Sequence, residues 1–391
     1  MRTQTVEPLN RALMEEIGMT WHTDPDGSSY IGRELVLVSE DEAEAYYEAA
    51  NTLYGLFVEA AQQVIDRQLY MQLGIPSNLV GLIEDSWDKD DIHLYGRFDL
   101  AGGLDGLPIK LIEFNADTPT SLFETSIVQW ALLKANGMDE TRQFNNLHEM
   151  LGENLRRLIT RNKPLDEFGE RYGGQKLLFS SVDSQPEEER TVRYLQQVAH
   201  DAGFYTDFCY MHEAGFSEQD GVFNKEAQLA DFWFKLFPWE DIASEELELT
   251  RMLDKASRKG RTRILNPAYT LLFQSKGIMK LLYDMFPDSP YLLRTDFAPL
   301  AGIEQVSKKL FGREGANMAL LAADGSTLAS TEGRYAHYKS IYQERALFAQ
   351  DAGGANYQAG VFHVHEACGL GFRRGGAILD NMSKFVGHII V

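Results

Sequence analysis

The chain has 391 residues, 44% of them hydrophobic and 24% charged, enough length and apolar content for two or three domains with buried cores. Its 37 basic and 58 acidic side chains leave a formal charge of −21, a surface that repels a phosphate backbone and argues against a nucleic-acid partner. No apolar run reaches the roughly 18–20 residues that cross a bilayer, the first residues lack a signal-peptide core, and Cys209 and Cys368 cannot build a disulfide framework. The expectation is a cytoplasmic α/β protein with mixed α and β elements, working on small molecules; a homo-oligomer is compatible with this composition.

In chain order, Ser39 and Glu42 form a capping-box pair. Behind them Tyr46, Ala50, Leu53, Phe57, Ala61 and Val64 recur at three- and four-residue steps until Gly74-Ile75-Pro76 ends the run. This predicts a long helix with one buried face. Residues 92–100 and 107–114 read as strands of a hairpin whose turn holds Gly102, Gly103 and Gly106. Helical spacing returns over 121–134 and 143–160. Strands at 177–182, 204–209 and 230–236 with a helix at 187–202 predict an α/β block with parallel pairs. A helix is expected over 267–283, capped by Asn266 with Pro267 at its first position, and after it short antiparallel strands. The domain division this suggests is 1–170, 171–262 and 263–391, with the first and last parts sharing a site.

Three segments carry chemistry. On the hairpin, side chains two apart share a face, so Arg97 and Asp99 point together, as do Glu113 and Asn115. If the arms pair, Asp99, Glu113 and Asn115 offer three oxygens beside a guanidinium, a set suited to a hard cation such as Mg²⁺; a solvated amphipathic hairpin fits the same alternation. Lys276 falls on an apolar helical stripe with Tyr269, Leu272, Phe273, Met279 and Tyr283, where it either snorkels to solvent or meets a buried anion. From Val306 a strand carries Lys308 into a turn, Gly312 to Asn317, whose backbone N–H groups can line a phosphate; a plain hairpin with solvated lysines fits as well. It is no Walker A loop, because no Gly-Lys-Ser/Thr opens a helix. His363, His365 and Cys368 have a zinc-like look, but they sit on a strand alternation without a second ligand cluster. No Gly-x-Ser-x-Gly elbow and no cysteine-nucleophile signature occurs.

In this order the segments resemble the synthetase part of the glutathionylspermidine synthase family, which has the ATP-grasp fold. The resemblance covers nearly the whole chain. It is carried by Gly96-Arg97-Phe98-Asp99, Glu113-Phe114-Asn115-Ala116-Asp117, Phe237-Pro238-Trp239-Glu240, Asn266-Pro267, Lys276, Lys308 with Gly312-Arg313-Glu314-Gly315-Ala316-Asn317, and Gly371-Phe372-Arg373 through Phe385-Val386-Gly387-His388. It implies an ATP-grasp synthetase with a preceding α/β substrate domain and an antiparallel nucleotide-binding lid, and no amidase domain ahead of it. It further implies Mg²⁺ on Asp99, Glu113 and Asn115, and ATP held by Arg97, Lys276, Lys308, Gly312, Gly315, Asn317, Gln343 and Arg373. Arg97 and Arg313 would act in catalysis, with Thr118, Thr120 and Arg313 facing the substrate. The reaction implied is ATP-dependent amide formation through an acyl phosphate, joining a glutathione-like or peptide acid to a polyamine or other amine. Phosphoryl transfer of this kind needs positioning and charge neutralisation more than a protein nucleophile. The sequence departs from the family's pattern where Thr118 and Thr120 replace serines, where Ser275 precedes Lys276 and where Lys309 follows Lys308. The rival readings are a nucleotide-binding protein of the same fold without ligase activity, motivated by these departures, and a metal-dependent hydrolase resting on the Asp/Glu/Asn set alone.

Overall fold

In the computed structural model, which describes residues 1–161, 168 and 174–391, the capping box at Ser39 forms as its spacing predicts. Ser39 Oγ accepts from the Glu42 amide at 3.2 Å, and the Glu42 carboxylate accepts from the Ser39 amide at 2.8 Å. The helix it opens, Glu40–Asp66, has 27 residues, about 40 Å at 1.5 Å per residue. All six stripe residues are buried. They pack on strands Asn356–His363 and Ala367–Gly375 and on helix Ile278–Met285, with Phe57 edge-on to Phe98, Phe114 and Phe273.

That helix lies against an eight-stranded sheet built from both ends of the described chain. Its order is Thr3–Thr5, Ile31–Val38, Lys384–Ile390, Ala367–Gly375, Asn356–His363, Gly96–Ala101 and Lys110–Asn115, with Ala349–Gln350 also beside Asn356–His363. The hairpin Gly96–Ala101/Lys110–Asn115 is therefore at one edge. Its register sets Arg97 opposite Asn115 and Asp99 opposite Glu113. Gly102 turns the chain at φ +74°; a Cβ there would lie 2.1 Å from the Pro108 carbonyl oxygen, so the turn requires glycine.

The expected α/β block is present. Lys176–Ser181, Tyr205–Tyr210, Phe232–Lys235 and Arg263–Leu265 form a four-stranded parallel sheet, and Pro186–Asp201 is the crossover helix after the first strand. A small antiparallel sheet, Gly215–Ser217, Gly221–Phe223 and Leu229–Ala230, flanks it. A five-stranded antiparallel sheet, ordered Thr295–Asp296, Ser340–Glu344, Gln305–Lys309, Ala319–Leu321 and Thr327–Ser330, covers the hairpin's polar face. The 170/171 division expected from sequence lies outside the described residues.

Three helices differ from expectation. The stretch 121–134 begins with a wide π turn, Glu124–Val128, before regular helix Gln129–Ala135; the Thr125 hydroxyl donates to the Ser121 carbonyl and the Gln129 amide to the Thr125 carbonyl. The stretch 143–160 becomes helical only at Leu147, because its first residues run along strand Ala367–Gly375: the Leu370 amide donates to the Phe144 carbonyl and the Asn146 amide to the Cys368 carbonyl. Most consequential, 267–283 is two short helices, Thr270–Gln274 and Ile278–Met285, separated by Ser275 in an extended conformation. Lys276 thus sits in a break and not on a continuous apolar stripe. Asn266 caps nothing. Its side chain accepts from the Leu94 amide and donates to the carbonyls of Tyr95, Ala116 and Asp117, tying the hairpin's two arms to the parallel sheet.

Candidate active site

Between the eight-stranded sheet, the antiparallel sheet and the parallel sheet lies a cavity of about 890 Å³, a volume suited to a nucleotide-sized ligand. One wall is the hairpin. Arg97 forks onto Asp99, Nε to Oδ1 at 2.7 Å and Nη2 to Oδ2 at 3.1 Å, and its Nη1 donates to the Thr120 carbonyl at 2.6 Å. Asn115 Nδ2 donates to Asp99 at 3.1 Å and lies 3.5 Å from Glu113. The three oxygen-bearing side chains and the guanidinium do converge as the strand alternation predicts, because an antiparallel register puts facing residues side by side. Burial opposes the charge on Arg97, but Asp99 and Glu113 outweigh it and hold the guanidinium above its usual range.

The opposite side supplies cations: Lys308 lines the cavity, and Lys276 lies outside the lining, behind Glu113. Lys308, on Gln305–Lys309, reaches across to the Ile112 carbonyl at 3.0 Å and to Gln343 Oε1 at 2.7 Å. Lys276, released from helix by the break at Ser275, pairs with Glu113 at 3.0 Å and donates to the Gly312 carbonyl at 2.7 Å. Neither lysine snorkels: Lys276 is 5% and Lys308 3% exposed. Burial would raise the Glu113 carboxyl, but Lys276, Lys308 and Arg97 keep it below its ordinary value. Burial lowers the Lys308 ammonium to about 8, against the pull of Glu113.

Segment Gly312–Asn317 closes the cavity from above. Arg313 Nη1 donates to the Thr118 hydroxyl at 2.7 Å and Nη2 to Glu240 at 2.6 Å. Gly315, at φ +68°, sits where a Cβ would come within 2.3 Å of the Leu379 carbonyl oxygen. Asn317 lies outside the cavity lining and accepts from the Tyr335 amide at 2.7 Å, fastening the far end of the loop. Gln343 lines the cavity, and its side chain is committed to Lys308 and to the Leu111 carbonyl. Arg373 also lines it, its Nη2 on the Asp380 carbonyl at 2.8 Å and its buried Nε without a partner. Across from it Glu187, at the start of helix Pro186–Asp201, is pushed up to about 8 by burial and by Glu124. Thr118 and Thr120 line the same space.

Sequence reasoning missed the charges behind this wall. Lys235 and Asp117 form an ion pair at 2.9 Å with no exposure on either side. Lys235 also donates to the Phe237 carbonyl and Asp117 accepts from the Trp239 amide. Burial pushes the Asp117 carboxyl up and the Lys235 ammonium down, and their contact opposes both. The available signal was a lysine ending the bulky strand Phe232-Trp233-Phe234-Lys235, a buried position that demands a partner. Gln274 was missed too; its Oε1 accepts from the amides of Ala116 and Asp117 and fixes the strand end. The zinc-like trio does not form a site: no group of three or more His, Cys, Asp or Glu able to hold a metal occurs among the described residues, and His363 instead stacks on Tyr54 at 4.1 Å. No described helix is long and apolar enough to cross a membrane.

The chain is similar to a Haemophilus influenzae protein named "Putative acid--amine ligase", 29% identical and covering 96% of this chain and 95% of that one. It is 24% identical to the bifunctional glutathionylspermidine synthetase/amidase of Escherichia coli, covering 86% of this chain and 55% of that protein. Against trypanothione synthetase of Crithidia fasciculata it is 25% identical, over 85% of this chain and 52% of that protein; the chain thus spans about half the length of these two relatives. In three dimensions it superposes on a glutathione synthetase-like effector of Globodera pallida with a TM-score of 0.54 at 11% identity, over 99% of this chain and all of that one. This likeness shows that the mixed α/β fold is shared with that glutathione synthetase-like protein. A family profile described as glutathionylspermidine synthase preATP-grasp matches residues 1–391, and with that match over the site just described the chain belongs to this family.

Proposed function

We propose that the protein is an ATP-dependent acid–amine ligase, cytoplasmic, which joins a glutathione-like or peptide carboxylate to a polyamine or other amine. The observation that carries this reading is the convergence of Asp99, Glu113, Asn115 and Lys308 on the cavity, with Lys276 paired to Glu113 just behind its lining, residues from three separate parts of the chain. The donor set of two carboxylates and an amide fits a hard cation. Asp99, Glu113 and Asn115 would hold Mg²⁺, which supplies charge neutralisation at the phosphates. Lys276 and Lys308 grip the triphosphate as point charges.

In the reaction, the acid's carboxylate attacks the γ-phosphorus, giving an acyl phosphate and ADP. The amine then attacks the acyl carbon, phosphate leaves with the bonding electrons, and the amine's proton passes to a base. Arg97 and Arg313 meet the negative charge that builds on the transferring group and on the acyl oxygen. Thr118, whose hydroxyl oxygen accepts from Arg313, keeps its own hydrogen to donate to the acid. The closed Gly312–Asn317 segment keeps water from the acyl phosphate.

The test is ADP release across a matrix of peptides and amines, glutathione and spermidine included. At least one pair should release ADP only when both members are present, and Glu113→Ala should lower that rate at least 100-fold. An undiminished rate in Glu113→Ala would remove the metal site; nucleotide-dependent thermal stabilisation with no turnover for any pair would favour a nucleotide-binding protein without ligase activity.

A further inference from the structure

Arg313 reaches its place through a chain of buried charges. It starts at Lys235 on the parallel sheet, passes to Asp117 at the end of the hairpin, and continues through the Trp239 amide to Glu240 in helix Trp239–Glu245. Glu240 then meets Arg313 at 2.6 Å. Burial opposes the charge on Arg313, and Glu240 overrides it, holding the guanidinium above its usual range. Glu240 is 2% exposed, uses one oxygen on the arginine and leaves the other buried without a partner. A buried carboxylate with a single contact is a poor device for fold stability, because its desolvation is not returned by one bond. It is well suited to aim a cation: a short charge-assisted bond from one side and the Thr118 hydroxyl from the other fix the guanidinium plane.

We propose that Glu240 is a positioning residue that holds Arg313, and with it segment Gly312–Asn317, over the cavity, and that it acts on catalysis only through that arginine. The kinetic consequence rests on the ligase reading; the hold on the loop does not. The other carboxylates near Arg313 do not take the place of Glu240. Asp117 is engaged by Lys235 and the Trp239 amide, Asp241 faces Arg334, and Glu188 acts on the guanidinium across the cavity without an ion pair.

The experiment compares the full-length wild type with Glu240→Gln, Arg313→Gln and the double variant. Glutamine keeps shape and one acceptor, so folding is preserved while the charge is lost. Hydrogen exchange read by mass spectrometry should accelerate at least tenfold in peptides covering 312–317, with strand Lys176–Ser181 unchanged. In the ADP-release assay kcat should fall at least tenfold, with the KM for ATP within twofold. The double variant should be no slower than Arg313→Gln alone, because Glu240 has nothing left to aim. Unchanged exchange at 312–317, acceleration spread equally over the parallel sheet, or a double variant slower by the full Glu240→Gln factor would each overturn the proposal. If no acid–amine pair supports turnover, the ligase reading falls while the exchange result still decides whether Glu240 holds the loop.

Discussion

Raising the pH should weaken ATP binding through one lysine. Lys308 lies in the antiparallel sheet with its ammonium buried against Ile112 and Gln343, and burial brings it from 10.5 to about 8. The difference corresponds to about 3 kcal/mol of preference for the neutral form relative to a solvated lysine. The charged groups acting on it are Glu113 and Asp99, which favour its proton, and Lys276, which opposes it. If Lys308 grips the triphosphate as proposed, binding requires the ammonium, so affinity should hold below pH 8 and then fall about tenfold per pH unit, roughly 10-fold between pH 7 and 9. The sign for stability is opposite. Between about 8 and 10.5 the unfolded chain carries the proton that the folded chain has lost, so this residue's contribution to stability rises with pH over that window. Calorimetric ATP titration from pH 6.5 to 10 measures the effect. Lys308→Met should bind weakly and lose the slope. Glu187, also pushed up to about 8, gains negative charge in the same window, so Glu187→Gln separates its share. An affinity flat from pH 7 to 9.5, or a slope that survives in Lys308→Met, would refute the reasoning.

Breaking the Lys235–Asp117 pair by Lys235→Met leaves an uncompensated buried carboxylate and should cost about 3–5 kcal/mol, read as a lowered urea midpoint; adding Asp117→Asn should recover part of that loss. Gly102→Ala places a Cβ at φ +74° against the Pro108 carbonyl and should cost more than about 1 kcal/mol, with tilting of the hairpin visible as loss of nucleotide affinity. Ser39→Ala removes the acceptor for the Glu42 amide and should cost about 1 kcal/mol in denaturant unfolding without altering affinity for ATP. A Ser39→Ala protein with wild-type stability would show that tertiary packing alone sets the start of that helix.

Local spacing rules carried much of the fold. The capping box and stripe of Glu40–Asp66, the two-residue alternation on each arm that carries Asp99, Glu113 and Asn115, and the strand–helix–strand pattern of the parallel sheet are read from spacing along each segment, and all formed. The family was legible through the ordered motifs that resemble it. What escaped is what distant segments impose. Asn266 looked like a helix cap, yet it bonds backbone 171 positions away because the parallel sheet must be tied to the hairpin. Helix 267–283 breaks at Ser275 because the Ser275 hydroxyl donates to the Leu73 carbonyl and the Lys276 amide to the Leu310 carbonyl, contacts no period in the sequence encodes. Lys235 and Glu240 find Asp117 and Arg313 at separations of 118 and 73 residues. Periodicity states which face of a segment is wet or dry; the partner of a buried charge is chosen by packing, since a charge removed from water must be met by whichever opposite group the assembled sheets bring within reach.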